Sequence, residues 1–437
     1  MPDRRPSLTA RSAERRLVLL TLTRWFPVGL VFGLTVLLPL ERGLSLTETG
    51  SLLAVQGFVV LALELPTGGL ADSLGRRPLL IVSGVLALVS TAVFASAETF
   101  GAFAVAMMLQ GVFRALDSGP LEAWFVDTAL AHAPDAPIER GLSRAATALG
   151  SAIAGGAVVG GGLIPWHPVA GQSALVLPFV VAGVLYGLHT VLVAVLVREE
   201  RGRAPGRDGA RASVGRRGTN PFRHRLRHSA MTSLWRPFGV VADGLRMLRT
   251  APVLRSLVLV EVFWSVAMIA FETVTPVRLA DFVGGEDAAG ALFGPASAAA
   301  WVLFAAGSAL AGSVSRHAGV TCTAIGSRIL NGLFVMAMGL VAGPIGLISA
   351  FWLAYLTHGA AGPMHNALLH RQATGSNRAV VLSINSMVGG GSYSLGLLVL
   401  TPLAETAGTG FAFVVAGAFS LLGALLYLPA LRQERAR

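Results

Sequence analysis

The sequence has no lysine, a single cysteine and few charged residues. Only 13% of its 437 residues are charged and 54% are hydrophobic, whereas a soluble globular protein has about 25% charged residues. Cys322 alone excludes an internal disulfide and a cysteine-rich metal site. All 34 basic residues are arginine, so the chain lacks a phosphate-binding loop with its lysine, which excludes ATP hydrolysis as a driving force. The mean hydropathy of +0.67 indicates a chain that lies mostly in lipid.

Twelve apolar runs are long enough to cross a membrane, because a hydrocarbon core of about 30 Å needs about 20 helical residues. The first run is too long for a signal peptide and lacks a small-residue cleavage site. A segment rich in arginine, glycine and proline separates the first six runs from the last six. We therefore expect an all-α membrane protein with transmembrane spans at 17–40, 46–68, 78–97, 99–125, 143–166, 174–197, 253–277, 287–313, 321–343, 345–368, 379–402 and 409–431.

Arginine marks one side of the predicted membrane protein. Alternate connections contain it, and the loops between them contain almost none, with Arg42 and Arg278 as exceptions. Since arginine concentrates in cytoplasmic loops, we expect a plasma-membrane protein with both termini and the central linker in the cytoplasm. Few aromatic residues lie among the arginines of the linker, namely Phe222, Trp235 and Phe238, which favours lipid headgroups over nucleic acid as its neighbour. The expected units are a tail at 1–16, a six-helix bundle at 17–197, the linker at 198–252, a second six-helix bundle at 253–431 and a tail at 432–437.

A polar, glycine-rich stretch lies between the second and third spans. It has the pattern Gly-x-x-x-Asp-x-x-Gly-Arg-Arg, formed by Gly68, Asp72, Gly75, Arg76 and Arg77. The stretch resembles motif A of the major facilitator superfamily. The resemblance implies two pseudo-symmetric six-helix bundles around a central cavity. It also implies a conformational latch between the bundles, in which Asp72 meets the start of span 11 and the motif arginines bind an acid at the end of span 4, namely Asp127.

Weaker patterns accompany motif A. The stretch 310–316 after span 8 is a degenerate echo of 70–76 with Gly312 in place of the aspartate, so we expect the latch on one side only. The glycines between Gly150 and Gly162 in span 5 are typical of close helix packing. They are also similar to motif C of the drug/proton antiporters, although Gly160-Gly161 replaces its Gly-Pro pair. The run 117–127 resembles a bacterial branch of the superfamily whose substrates are mostly unassigned.

Ionisable residues lie in spans 1, 4, 7 and 10, the first spans of four successive triplets. A charge in hydrocarbon is costly, so these residues should face a cavity or a partner. Arg114 and Asp117 are close enough along span 4 to pair. The pair is equally compatible with a purely structural role, and the histidines with helix packing. The candidate substrate and proton site consists of Arg24, Arg114, Asp117, Glu122, Glu261, Met268, Glu272, His358 and His365.

The resemblance implies a secondary transporter that works by alternating access, not an enzyme. We expect proton-coupled efflux of a small hydrophobic or cationic compound, with Glu261, Glu272 and Asp117 as proton or substrate carboxylates and Arg114 tuning Asp117. The alternatives are uptake or uniport of a small metabolite and a non-transporting membrane sensor or membrane enzyme. The expected partners are a small-molecule substrate, protons and membrane lipids. We expect a monomer without cofactor, metal or nucleic acid.

Overall fold

The computed structural model consists of long helices. It describes residues 9–133, 136–166, 171–198, 244, 246–373 and 377–436, without the side chains of residues 65, 66, 68–73 and 379. The described residues contain no β-strand. Within these ranges, twelve helices are long and apolar enough to cross a membrane, which confirms the all-α fold class. In chain order, α1 to α12 are Ala10–Glu41, Leu46–Leu74, Arg76–Ser96, Phe100–His132, Ile138–Trp166, Val176–Leu196, Pro252–Val283, Glu286–Ala318, Val320–Leu340, Pro344–Gln372, Arg378–Ala407 and Thr409–Arg435.

The ends of several helices differ from the predicted spans. α1 begins at Ala10 instead of residue 17, because the Thr9 side chain accepts a hydrogen bond from Ser12 N and caps the helix. Most of the predicted linker, residues 199–243, and the first eight residues of the predicted tail lie outside the described residues. With an even number of crossings, both chain ends lie on one side of the molecule, the terminal face. The loop face is the opposite side and carries the short connection at 42–45.

Four of the helices contain an interruption. The interruptions are Gly33 in α1, Gly119 in α4, the π-helical turn Ala270–Val274 in α7 and the 3₁₀ turn Leu425–Tyr427 in α12. Gly33 and Gly119 have φ angles of 80° and 92°, which residues with a side chain rarely adopt. Asp117, Glu272 and Tyr427 are among the polar residues that lie in or beside these interruptions. Irregular backbone thus accompanies polar side chains inside the spans.

Single glycines turn the chain at two matching places. Gly75 alone separates α2 from α3, and Gly319 alone separates α8 from α9, with φ angles of 91° and 83°. Because α2 continues to Leu74, the loop predicted at 69–77 is almost entirely helix. Gly319 therefore corresponds to Gly75. The echo that aligns Arg316 with Arg76 is four residues out of register, about one helical turn.

The same helix pairs pack in both halves of the chain. In the first half α1 packs on α5, α2 on α4 and α3 on α6. In the second half α7 packs on α11, α8 on α10 and α9 on α12. Contacts between the halves are made mainly by α5 with α8 and α2 with α11. The helices therefore form the two pseudo-symmetric six-helix bundles expected from the sequence.

The bundles meet closely near the loop face. Gly161 of α5 faces Gly294 of α8, and a methyl group at Gly294 would collide with the Ala157 carbonyl oxygen. Nearby, Thr47 N donates a hydrogen bond to Glu405 Oε2 at 2.7 Å, which joins α2 to α11. Other glycines of α5 lie against α1 inside the first bundle. The glycine-rich sequence of α5 thus serves close packing on two sides and closes the loop face.

Two arginines hold the ends of helices at the loop face. Arg42 of α1 donates to the carbonyl oxygens of Ala97 and, at 2.7 Å, of Ala95, at the end of α3. Arg278 of α7 donates to the carbonyl oxygens of Gly339 and Val341 at 2.9 and 3.1 Å, at the end of α9. The last carbonyl groups of a helix lack partners in their own helix and attract a cation. These contacts account for the two exceptions to the arginine distribution.

Candidate functional site

A cavity of two connected lobes lies in the centre of the molecule. The first lobe, about 490 Å³, lies within the first bundle between α1, α2, α4 and α5. The second, about 380 Å³, lies between the bundles and is lined by α2, α4, α7 and α11. Glu64 and Arg114 line both lobes. Exposed lining residues such as Glu122 and Ala146 lie toward the terminal face. The cavity therefore opens to the terminal face and is closed at the loop face.

A larger groove of about 900 Å³ lies elsewhere, between α3 and α6. Its lining includes Val180 and Val184, which are 52% and 67% exposed on the outer surface of the first bundle. The groove is not continuous with the central cavity in its lining residues. The central cavity, which collects most of the candidate residues, is therefore the candidate site.

A buried ion pair crosses the first bundle beside the first lobe. Arg24 Nε of α1 lies 2.6 Å from Asp117 Oδ2 of α4, with the two side chains 6% and 15% exposed. The guanidinium carbon lies 4.2 Å from the centre of the Phe113 ring, a favourable cation–π arrangement. Asp117 ends the first piece of α4, where the interruption brings it toward α1. Arg24 therefore takes the place that the sequence suggested for Arg114.

A second buried ion pair lies in the second bundle. His365 Nε2 of α10 lies 3.0 Å from Glu261 Oε1 of α7, with the two side chains 2% and 9% exposed. The other ring nitrogen, Nδ1, lies 2.9 Å from the Tyr427 hydroxyl of α12. Asn385 of α11 donates its amide N–H to Glu261 Oε1 at 3.3 Å. The pair is thus held by four helices, and Glu261 and Asn385 line the second lobe.

A third charged residue stands beside this pair. Arg328 of α9 is buried, and its guanidinium carbon lies 4.7 Å from the centre of the Trp264 ring. Its Nε and Nη1 atoms have no hydrogen-bond partner in the described part of the chain. Arg328 interacts electrostatically with Glu261. The second bundle therefore contains a cluster of one acid, one imidazole and one permanent cation.

The two histidines of α10 have different surroundings. The His358 ring stacks on Trp264 with 4.8 Å between ring centres and also contacts Phe271 and Phe304. Its buried Nδ1 has no hydrogen-bond partner among the described residues. His358 is therefore part of an aromatic cluster, whereas His365 belongs to the ion pair.

The other candidates differ in their access to the cavity. Arg114 is exposed to the cavity, Met268 lines the second lobe and Glu122 lines the first. Glu272 lies in the π-helical turn of α7, lines neither lobe and interacts electrostatically with Arg114. Within the described ranges, no group of three or more His, Cys, Asp or Glu side chains could hold a metal ion. The cavity therefore presents separate charged groups on a mainly apolar and aromatic wall.

Sequence comparison identifies the family. The profile described as Major Facilitator Superfamily matches residues 17–356. The chain belongs to the Major Facilitator Superfamily. Among curated proteins, no sequence matches it. Membership of this superfamily indicates a membrane transporter of a small-molecule substrate.

Solved structures of other superfamily transporters share the fold. The nucleoside transporter NupG aligns with a TM-score of 0.74 at 10% identity, over 95% of this chain and 98% of that one. A bacterial homologue of the human drug peptide transporters aligns with a TM-score of 0.68 at 12% identity, over 98% and 99%. A structure from a study of proton dependent oligopeptide transporters gives 0.69 at 12% identity, over 98% and 99%. At such identities the likeness shows the fold alone.

The motif A region of this superfamily member is partly described. Arg76 Nη1 lies 2.6 Å from Asp127 Oδ2, so the motif joins α3 to the end of α4. Arg77 Nη2 donates to the Ala194 carbonyl oxygen of α6 at 2.7 Å. The side chain of Asp72, with which the sequence predicts a contact to α11, and the surroundings of Gly68 lie outside the described residues.

Sequence reasoning missed several partners of the candidate residues. Asn385 and Tyr427 bind the Glu261–His365 pair, and Arg328 stands beside it, yet none was among the candidates. A polar side chain inside an apolar span is a usable signal, since it must find a partner there. Applied to spans 9, 11 and 12, this signal selects Arg328 and Asn385, while Tyr427 resembles an ordinary interfacial tyrosine.

Proposed function

We propose that this superfamily member is a proton-coupled exporter of a small organic compound, and that the Glu261–His365 pair carries the proton. The observation behind the proposal is the 3.0 Å contact between His365 Nε2 and Glu261 Oε1 at the wall of the second lobe. A carboxylate and an imidazole can each hold or release a proton. Such a pair can gain or lose one proton without breaking a covalent bond or moving the backbone.

The contacts of the pair suggest how a proton acts on it. In the charged pair, imidazolium Nε2–H donates to Glu261 Oε1 and Nδ1–H donates to the Tyr427 hydroxyl oxygen. A proton delivered to Glu261 through the lobe cancels the carboxylate charge and weakens the attraction between α7 and α10. The second bundle then carries one additional positive charge beside Arg328. This change in charge at the wall of the lobe is the coupling step that we propose.

Two features support the outward direction of transport that we propose. The cavity opens to the terminal face, and the arginine distribution predicts that this face lies in the cytoplasm of a plasma-membrane protein. A compound from the cytoplasm therefore reaches the lobes directly. Closure of the terminal face and opening of the loop face would release it outside, as in alternating access. The Arg76–Asp127 contact belongs to the motif A latch that we propose for the switch.

Other properties of the lobes favour an organic substrate with an apolar part. Trp264, Met268 and Tyr393 line the second lobe beside small residues of α11. Aromatic and thioether groups bind apolar bodies of varied shape. The partners that we propose are this compound, protons and the surrounding lipids, and the transporting unit is a monomer. The drug/proton antiporters provide the nearest functional analogy, through the glycine-rich α5.

The experiment is transport by the purified protein in proteoliposomes. A panel of fluorescent dyes, aromatic acids and aromatic amines is tested with and without an imposed proton gradient. We expect gradient-dependent movement opposite to the protons. In Glu261→Gln this movement should fall at least tenfold, while exchange of labelled for unlabelled compound persists. Glu139→Gln is the matched control, because Glu139 is exposed at the start of α5.

Four outcomes would contradict the proposal. Movement with the protons would favour uptake, and movement independent of the gradient would favour uniport. Unchanged coupling in Glu261→Gln would remove the pair from the mechanism. Binding without movement of any compound would favour a non-transporting sensor.

A further inference from the structure

Arg114 lies at the junction of the two lobes and has no ion-pair partner in the part of the protein that the structure describes. It lines both lobes and is exposed to them. Within the described residues, no ion pair within 4 Å and no hydrogen bond engages its guanidinium group, unlike that of Arg24. Arginine keeps its charge at any physiological pH. An unpaired arginine inside transmembrane spans typically faces a substrate or ion pathway.

The charges around Arg114 leave it available for an anion. Arg24 and Glu272 interact with it electrostatically. Arg24 is already bound to Asp117, so these two charges balance each other, and Glu272 has no ion-pair contact with Arg114 within 4 Å. Glu64 lines both lobes and Glu122 lines the first, but neither lies within ion-pair distance of Arg114. The carboxylates of the cavity therefore leave the Arg114 guanidinium free in this conformation.

The walls beside Arg114 suit the rest of an organic anion. The second lobe places Trp264, Met268 and Tyr393 in the same cavity as the guanidinium. Gln56 and Asn385 supply amide groups to that lobe. The planar guanidinium presents paired N–H donors that match the oxygens of a carboxylate or phosphate. One lobe thus combines an anion site with an aromatic and apolar wall.

From this arrangement we infer that Arg114 binds an oxyanion of the transported compound, whose apolar or aromatic body lies against Trp264, Met268 and Tyr393. The inference rests on the proposed function, because it takes the central cavity as the transport site. It specifies an organic acid where the sequence patterns favoured a hydrophobic or cationic compound. The competing explanation is that Arg114 only pairs with Glu64 or Glu272 in another conformation.

The test compares ligands that differ in one group. Phenylacetate, phenylacetamide and phenethylamine share a body, as do indole acetate, indole acetamide and tryptamine. Phenyl phosphate distinguishes a phosphate from a carboxylate. Binding to the purified full chain is measured by isothermal calorimetry and by the shift in thermal unfolding. We expect each acid to bind at least tenfold more tightly than its amide and its amine.

Variants test whether the tighter binding of the acids depends on Arg114. Arg114→Gln should weaken binding of the acids at least tenfold and change binding of the amides less than twofold. Arg114→Lys should keep part of the affinity, because it retains the charge and loses the paired donors. Arg316→Gln is the matched control, since Arg316 is exposed at the end of α8 and binds Ser313 of its own helix. Acid affinity in this control should equal that of the wild type.

The outcomes separate the two proposals. Acids that bind no more tightly than their amides in the wild type, or equally well in Arg114→Gln, would overturn the role of Arg114. This comparison needs no proton gradient. Acids that bind through Arg114 but move independently of the gradient would leave the anion site intact and refute proton coupling. If Arg114→Gln does not fold, the wild-type selectivity and Arg114→Lys still decide.

Discussion

The two bundles contain buried ion pairs at nearly matching positions but with different chemistry. Arg24 lies 18 residues before Arg42, and Glu261 lies 17 residues before Arg278. In the first bundle the partners are an arginine and an aspartate, 2.6 Å apart. In the second they are a glutamate and a histidine, 3.0 Å apart. Arginine keeps its proton, whereas glutamate and histidine can each gain or lose one, so the second pair is the one that we propose responds to protons.

At the loop face, by contrast, the two bundles make the same kind of contact. Arg42 binds carbonyl oxygens at the end of α3, and Arg278 binds carbonyl oxygens at the end of α9. These two arginines perform the same task in matching places. The repeated architecture therefore keeps its scaffold contacts alike and varies the groups near the cavity. From this difference we infer that the Arg24–Asp117 pair of the first bundle has a structural role. The Glu261–His365 pair of the second bundle is the one that we propose responds to protons.

The largest expected effect separates the two buried pairs. Asp117→Asn removes the one ion-pair partner that Arg24 has among the described residues and leaves a buried cation, which should lower the free energy of unfolding by about 3–5 kcal/mol. Unfolding by SDS in detergent micelles measures the change. Glu122→Gln is the control, because Glu122 is exposed on the same helix. Equal losses of unfolding free energy in Asp117→Asn and Glu122→Gln would show that the Arg24–Asp117 pair does not stabilise the fold.

The next effect tests whether Arg42 and Arg278 contribute equally to stability at the loop face. Arg42→Ala and Arg278→Ala each remove two hydrogen bonds from a charged donor to carbonyl groups. Each should lower the free energy of unfolding by about 1.5–3 kcal/mol. The same SDS titration gives both values, with the exposed Arg316→Gln as control. A loss of unfolding free energy in one variant and none in the other would show that the two arginines are not equivalent.

A smaller effect is expected for the second buried pair. In Glu261→Gln the imidazole of His365 can become neutral, and Asn385 and Tyr427 still surround the two groups. The free energy of unfolding should therefore fall by only about 1 kcal/mol, the contribution of an ordinary hydrogen bond. Transport coupling should nevertheless be lost. A loss of stability as large as that of Asp117→Asn would show that both pairs are structural.

The smallest effect on stability is expected in the motif A region. Arg76 and Asp127 are 2.6 Å apart, but their side chains are 23% and 67% exposed. Arg76→Ala should cost only about 0.2–1 kcal/mol, as for other exposed pairs. The turnover rate in proteoliposomes should fall severalfold if the contact belongs to the latch. An unchanged turnover rate would leave Arg76–Asp127 as a surface contact, and Arg316→Gln again serves as the control.

Sequence predicted the fold more completely than the site. Span length and motif A were sufficient for twelve helices in two bundles, because both depend on local sequence. The choice of ion-pair partner was not predictable, since it depends on how helices rotate against each other and on the interruption at Gly119. Arg114 was close to Asp117 in the sequence, yet Arg24 of a different helix binds it. In the same way, His358 and His365 share a face of one predicted span, but the neighbouring helices give them different partners.

The π-helical turn Ala270–Val274 has a consequence for insertions and deletions in α7. A π turn accommodates one residue more than an α turn, and each residue of an α-helix advances the side chains by about 100°. The extra residue is taken up within the turn, so deleting one residue there would restore a regular helix and leave the residues after it in nearly the same rotation. Arg278 would then keep its contacts with the carbonyl oxygens of Gly339 and Val341, whereas a deletion in the regular part of α7 before Arg278 would turn it away from them. The π-helical turn is therefore a place where α7 can lose a residue without losing the contact at the loop face.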